Sequence, residues 1–201
     1  MEMDWLFYEK AAYEKGYKAV CGVDEAGRGP LAGPVCAAAV ILPEGLIIEG
    51  VNDSKKLTEK KREALFDVIC ESALSYSIVF ADVAEIEEVN ILRATMNAMQ
   101  RAVESLSIKA DYVYIDGNTM PPVSIDGECI VKGDAKSMSV ACASILAKVS
   151  RDRLMLKYAE EYPQYGFEKH KGYGTKLHTE ALREFGPSPI HRPSFLKKIL
   201  K

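Results

Sequence analysis

The chain has 201 residues, 48% of them apolar and 27% charged, with a formal net charge of −3. These totals suit a soluble globular chain of one domain, with a small appendage at most. No run of about 18 apolar residues occurs, so no membrane-spanning helix is expected, and the start MEMDWLFYEK, with acids near its front, does not read as a signal peptide.

Residues 4–15 read as a short amphipathic helix. KAVCGVDEAG reads as a strand entering a glycine turn, and GPVCAAAVILP as a second strand ending at Pro43. Gly-Pro pairs at 29–30 and 33–34 punctuate the link, which fits a hairpin. A loop, EGLIIEGVNDSKKLT, precedes a helix running to about Ala73 with Thr58 as its cap. SYSIVFADV is a third strand. A helix from about Ile91 follows, with Leu92, Met96, Met99 and Val103 at helical spacing.

ADYVYIDG is nearly all apolar and suits the middle of a sheet. VSIDGECIVKGD offers a short strand or two. AKSMSVACASILAKVSRDRLMLKYAEEY is a long helix, apolar nearly all round to Val149 and charged beyond it, and Pro163 stops it. Thr175 to Glu184 reads as helix, and the Pro-rich remainder as a tail. No repeat or long linker appears. The order of elements predicts a mixed α/β sheet with helices against it.

Charge is unevenly spread. Residues 1–131 hold 12 Lys and Arg against 22 Asp and Glu, whereas residues 132–201 hold 14 against 7. The basic part is either an anion-binding face or a solvated helix surface. Cys21, Cys36, Cys70, Cys129 and Cys142 contain no C-x-x-C pair and read as small hydrophobes of a reducing compartment.

Acids at the carboxyl ends of strands are where α/β sheets place their chemistry. Asp24 and Glu25 end the first strand, Asp116 ends YVYID, and Asp134 precedes the long helix. Taken singly, Asp134 would serve as a helix cap and Asp116 as a turn residue. Asp24-Glu25 directly after AVCGV has little structural reason. Neighbouring side chains of a strand point to opposite faces, so both acids reach one site only if the strand breaks, and Gly27 supplies a break just beyond. Four carboxylates brought together need a divalent cation. Oxygen ligands without Cys or a His pair select Mg²⁺ or Mn²⁺.

GVDEAGRGPLAGPV closely resembles the first motif of type 2 ribonucleases H, the ribonuclease HII family. NDSKKL, YIDGN, KGDAKSMSVACASILAKVSRDR, HKGYGTKLH and GPSPIHRPSF follow in that family's order, from about residue 18 to 196. The resemblance implies a ribonuclease H-like mixed five-stranded sheet flanked by helices, residues 1–160, with a small helical extension packed on it, residues 161–201. It implies a cytoplasmic, single-chain endonuclease that uses Mn²⁺ or Mg²⁺, two ions when substrate is bound. Such an enzyme cuts RNA in RNA–DNA hybrids and cuts 5′ of single ribonucleotides in duplex DNA.

The implied metal-binding and catalytic residues are Asp24, Glu25, Asp116 and Asp134. Backbone groups around Gly27, Arg28 and Gly29 would read the 2′-hydroxyl, which is donor and acceptor together. The ring of Tyr173 would pack on the next sugar. Asp53, Ser54 and Lys55, with Lys56, are candidates for the phosphate backbone. Lys169, Lys171 and Lys176 are weaker ones. His170, His178 and His191 read as phosphate contacts or surface residues rather than as a general base.

Overall fold

In the computed structural model, which describes residues 4–197, 199 and 200, five strands make one sheet. They are β1 (Val20–Ala26), β2 (Val35–Ile41), β3 (Ser75–Ala81), β4 (Tyr112–Asp116) and β5 (Asp126–Ile130). Their spatial order is β3-β2-β1-β4-β5. β1 to β3 pair antiparallel, while β4 and β5 join β1 in parallel. Residues 1–3, 198 and 201, at the ends of the two expected domains, lie outside the described residues.

The apolar runs fit this order. β2 is buried at every position, as a central strand covered on both faces must be. β3 and β5 lie at the edges, with exposed residues among buried ones. Period-two geometry splits β2 between two cores. Cys36, Ala38 and Val40 face one cluster with Ile69 and Ile145. Ala37, Ala39 and Ile41 face the other with Ala98 and Met99. Each fully buried Leu, Ile or Met adds about 1.5–3 kcal/mol.

Helices cover both faces. α1 (Phe7–Glu14), α2 (Glu59–Ser72), α3 (Val83–Val89), α4 (Ile91–Glu104) and α5 (Met138–Glu161) come first. α6 (Phe167–His170), α7 (Lys176–Phe185) and α8 (Pro193–Leu196) follow. α2 and α5 build the first cluster, and α3 and α4 the second. α5 lies so close to β1 that a Cβ on Gly22 would overlap the Ser139 backbone. Buried Glu9 of α1 accepts hydrogen bonds from Ser137 Oγ and from the N–H and Oγ of Ser139, pinning α1 to the start of α5.

Several boundaries differ from the predicted ones. The first helix starts at Phe7, because Asp4 Oδ1 accepts from the Leu6 N–H outside it. α3 was not expected. Asn90 at φ 71° ends it, and its Oδ1 accepts from the N–H groups of Leu92 and Arg93 to open α4. A one-turn 3-10 helix, Ser54–Lys56, lies in the expected loop. The charged half of α5 is not all exposed: Arg151 and Asp152 are buried.

The stretch read as a tail is built into the fold. Arg192 is fully buried, His191 bridges to Ala32, and Ser194 donates to Glu87. Leu31, Ala32 and Met155 share a third cluster with Tyr165, Phe167, Leu182 and Leu196.

Candidate active site

The four acids gather where β1 and β4 end. β1 stays paired with β2 through Ala26↔Cys36, so the strand does not break at the acids. Its pairing with β4 stops at Val23↔Ile115. That leaves the flank of Asp24 and Glu25 open beside Asp116, the last residue of β4. Asp116 Oδ1 accepts from the N–H of Gly133 at 2.6 Å and lies 3.4 Å from the N–H of Asp134. This contact ties the 3-10 turn Gly133–Ala135 to the end of β4 and brings Asp134 to the group. The capping of α5 falls to Ser137, whose Oγ accepts from Val140, so Asp134 is not its cap.

Electrostatics couples the four. Burial raises the Asp24 carboxyl well above its ordinary range, and the charges of Glu25 and Asp116 raise it further. Burial also lifts Glu25, Arg28 pulls it back, and Asp116 adds to the rise. Burial, then Asp116 and Asp53, raise Asp134. Asp24 and Asp134 are only 4% and 5% exposed. The nearest cations stand at the rim: Arg28 Nη1 is 3.6 Å from Glu25 Oε1, and Lys55 Nζ is 3.8 Å from Asp134 Oδ2. Buried like charges of this kind are stable when a cation shares them or when they protonate.

The donor set fits a hard divalent ion, being all oxygen with no His or Cys in the group. It is not a closed cage, since among the described residues no three Asp, Glu, His or Cys side chains are already drawn together around one point.

The expected substrate-binding residues flank this cluster. At Gly27, φ is +98° and a Cβ would overlap the Arg151 side chain, so packing alone demands glycine there. At Gly29 the nearest atom to a Cβ would be Tyr173 Cε1 at 3.8 Å, an ordinary contact. Gly29 and the half-exposed ring of Tyr173 are therefore neighbours, although 144 positions apart.

Asp53 Oδ1 accepts from the Lys55 N–H and shapes the 3-10 turn. Ser54 is buried against Ser144, with Oγ atoms 2.9 Å apart. Lys55 is open to solvent. Burial works to lower its pKa, but Asp134, Asp24, Asp53 and Asp116 outweigh that and hold it above its ordinary value. Lys171 is buried, its Nζ donating to the Glu168 carbonyl. Lys176 stands 3.7 Å from Glu180.

The histidines depart from the sequence reading. All three are buried in one stack, neither surface residues nor phosphate contacts. Sequence reasoning also passed over Arg151 and Arg192. Arg151 donates to the carbonyls of Pro34, Lys171 and Ala32. Arg192 donates to those of Gly33, Arg28, Pro30 and Gly27. Both lie inside the quoted family motifs, but nothing in the flanking residues foretells their partners, which are distant backbone carbonyls.

A family model for ribonuclease HII matches residues 21–198. Ribonuclease HII of Caldanaerobacter subterraneus subsp. tengcongensis is 55% identical over 195 residues, covering 97% of this chain and 81% of that one. Its counterpart in Caldicellulosiruptor saccharolyticus is 54% identical over 201 residues, covering 100% and 98%. The ribonuclease H2 structure from Pyrococcus horikoshii OT3 superposes with a TM-score of 0.76 at 31% identity, over 91% of this chain and 97% of that one. The sheet order, the acids at its strand ends and these likenesses converge: the chain belongs to the ribonuclease HII family, endoribonuclease H hydrolases that cut the RNA strand of RNA–DNA hybrids.

Proposed function

We propose that this chain also incises duplex DNA on the 5′ side of a single embedded ribonucleotide, leaving 5′-phosphate and 3′-hydroxyl ends, and that it works in the cytoplasm as a monomer. The observation that carries the reading is the juxtaposition of two groups. One is the partly buried carboxylate cluster Asp24, Glu25, Asp116 and Asp134. The other is the Gly27-Arg28-Gly29 turn, held against Tyr173.

Asp24, Glu25, Asp116 and Asp134 would hold Mg²⁺ or Mn²⁺, two ions with substrate present. The ions supply activation of the attacking water and stabilisation of the leaving oxygen. The protein's own residues do the selecting. The backbone of the Gly27–Gly29 turn binds the 2′-hydroxyl as donor and acceptor. With no Cβ at Gly29 the sugar can approach the chain. Tyr173 packs its ring on the following deoxyribose and lends its hydroxyl to sensing the 2′-OH. Arg28 and Lys55 contact phosphates at the rim. Asp53 and Ser54 act less directly, shaping the turn that carries Lys55. The buried histidines have no proton to move here.

The experiment is a labelled duplex with one ribonucleotide, incubated with the protein and Mg²⁺ or Mn²⁺, with the cut mapped and an all-DNA duplex alongside. One fast cut, 5′ of the ribonucleotide, with the DNA duplex cut far more slowly, is expected. Equal cleavage of both duplexes overturns the 2′-hydroxyl reading.

A further inference from the structure

Two guanidiniums lie inside the protein with no carboxylate at ion-pair distance among the described residues. A buried cation without a counter-ion is costly unless its donors are all used. Arg192 uses four of its five on one loop. Nε donates to Gly33 O at 2.9 Å, Nη1 to Arg28 O at 3.0 Å and Pro30 O at 2.9 Å, and Nη2 to Gly27 O at 2.7 Å. Its own N–H donates to Leu31 O.

Arg151 closes the other side of the loop, joining Ala32 and Pro34 to Lys171 just before Tyr173. The Leu31 N–H donates to Gly172 O, a second tie between the same two loops. The carbonyls of Gly27 and Arg28 are thus spoken for from within, which leaves that of Gly29 as the turn's acceptor. The N–H groups of Gly27, Arg28 and Gly29 find no acceptor among the described residues.

We infer that Arg192 is a positioning residue for ribose recognition: it draws the carbonyls of the 27–33 loop inward, so that the N–H groups of the Gly27–Gly29 turn stay free for the substrate at a fixed distance from Tyr173. This rests on the reading that the turn senses the 2′-hydroxyl. The guanidinium is suited to the task because its planar fork spans several acceptors at once, which one ammonium cannot do. Burial and the nearby Arg151 charge lower its pKa to about 9, and it stays cationic at neutral pH. Phe195 holds the group in place, its ring centroid 5.1 Å from Arg192 Cζ.

The test uses the full chain. Single-turnover cleavage of a duplex with one ribonucleotide is compared with that of the all-DNA duplex, for the wild type and Arg192→Lys. The ratio of the two rates is expected to fall at least tenfold in the variant, with cooperative melting retained. A role in stability alone would lower the active fraction on both duplexes and leave the ratio unchanged, and that result overturns the inference. Should Arg192→Lys not melt cooperatively, Phe195→Leu loosens the guanidinium without emptying its pocket. It is expected to lower the same ratio by a smaller factor, and an unchanged ratio in that folded variant also overturns the inference. A wild-type ratio near one removes the ribose-reading function itself, and this inference with it.

Discussion

The Nε2 atoms of His178 and His191 lie 2.9 Å apart in the interior. Their other nitrogens fix who donates. His191 Nδ1 accepts from the Ser188 N–H, so its Nε2 carries the proton given to His178. His178 Nδ1–H then donates to the Tyr173 carbonyl. The chain of bonds is complete only with both rings neutral, and it ends on the residue expected to touch the substrate sugar.

Acid should therefore loosen this corner. Burial pushes both imidazoles down to about 4, and for His191 the neighbouring His178 adds to the effect. In the unfolded chain each titrates near 6.5. Between those values the unfolded state binds protons that the folded state refuses, so stability rises with pH across the window. The contribution is fully present above about 6.5 and lost as pH falls toward 4. It amounts to roughly 3 kcal/mol for each ring. Urea midpoints measured from pH 4.5 to 7 are expected to climb, and His191→Gln is expected to flatten the slope by about half.

Asp24 gives the opposite sign for stability. Its folded pKa is raised, so its favourable contribution exists below the unfolded value and is lost as pH rises. Removing the charge should relieve that cost. Metal-free Asp24→Asn is expected to be more stable than the wild type by about 1–3 kcal/mol at pH 7. Adding Mg²⁺ or Mn²⁺ is expected to raise the melting temperature of the wild type and not of the variant. Cleavage should fall about a hundredfold or more, the worth of several kcal/mol in a barrier. Equal metal-induced shifts in both proteins would refute the metal role of Asp24.

The two glycines of the turn should part company. Gly27→Ala meets positive φ and the Arg151 side chain together, and melting is expected to show a loss of roughly 3 kcal/mol or more. Gly29→Ala meets only the edge of Tyr173, and its melting should match wild type within about 0.5 kcal/mol. Its cleavage of the ribonucleotide duplex should nevertheless drop about tenfold or more. A fully active Gly29→Ala would place substrate recognition elsewhere.

Tyr173 is 44% exposed, so Tyr173→Ala is expected to change stability by less than about 1 kcal/mol. Its effect belongs in the kinetics. The preference for a deoxyribose over a ribose immediately after the cut ribonucleotide should shrink, read as the ratio of kcat/KM on the two duplexes.

What the sequence revealed, and what it hid, follows from how far each signal travels along the chain. The sheet was legible because β2 and β4 carry unbroken apolar runs. Asp24 and Glu25 were legible because charge after such a run contradicts its surroundings. Asp134 was harder to read, since the cap that really opens α5, Ser137, lies three positions on. The histidines misled because their nearby basic residues are what shows in one dimension; their burial comes from Phe167, Tyr165 and each other. Arg192 was invisible, because a carbonyl has no letter. The short α3 was missed because only Asn90, with its unusual φ, separates it from the next helix.

Arg192 binds the carbonyl of Arg28 across 164 positions of chain. During synthesis, at roughly 5–20 residues per second, the turn leaves the ribosome about ten to thirty seconds before its clamp. The acids at 24 and 25 are thus made early, whereas the turn beside them waits for the hydrogen bonds of Arg192. If the turn reads ribose as proposed, assembly order itself keeps an incomplete polypeptide from acting as a selective nuclease.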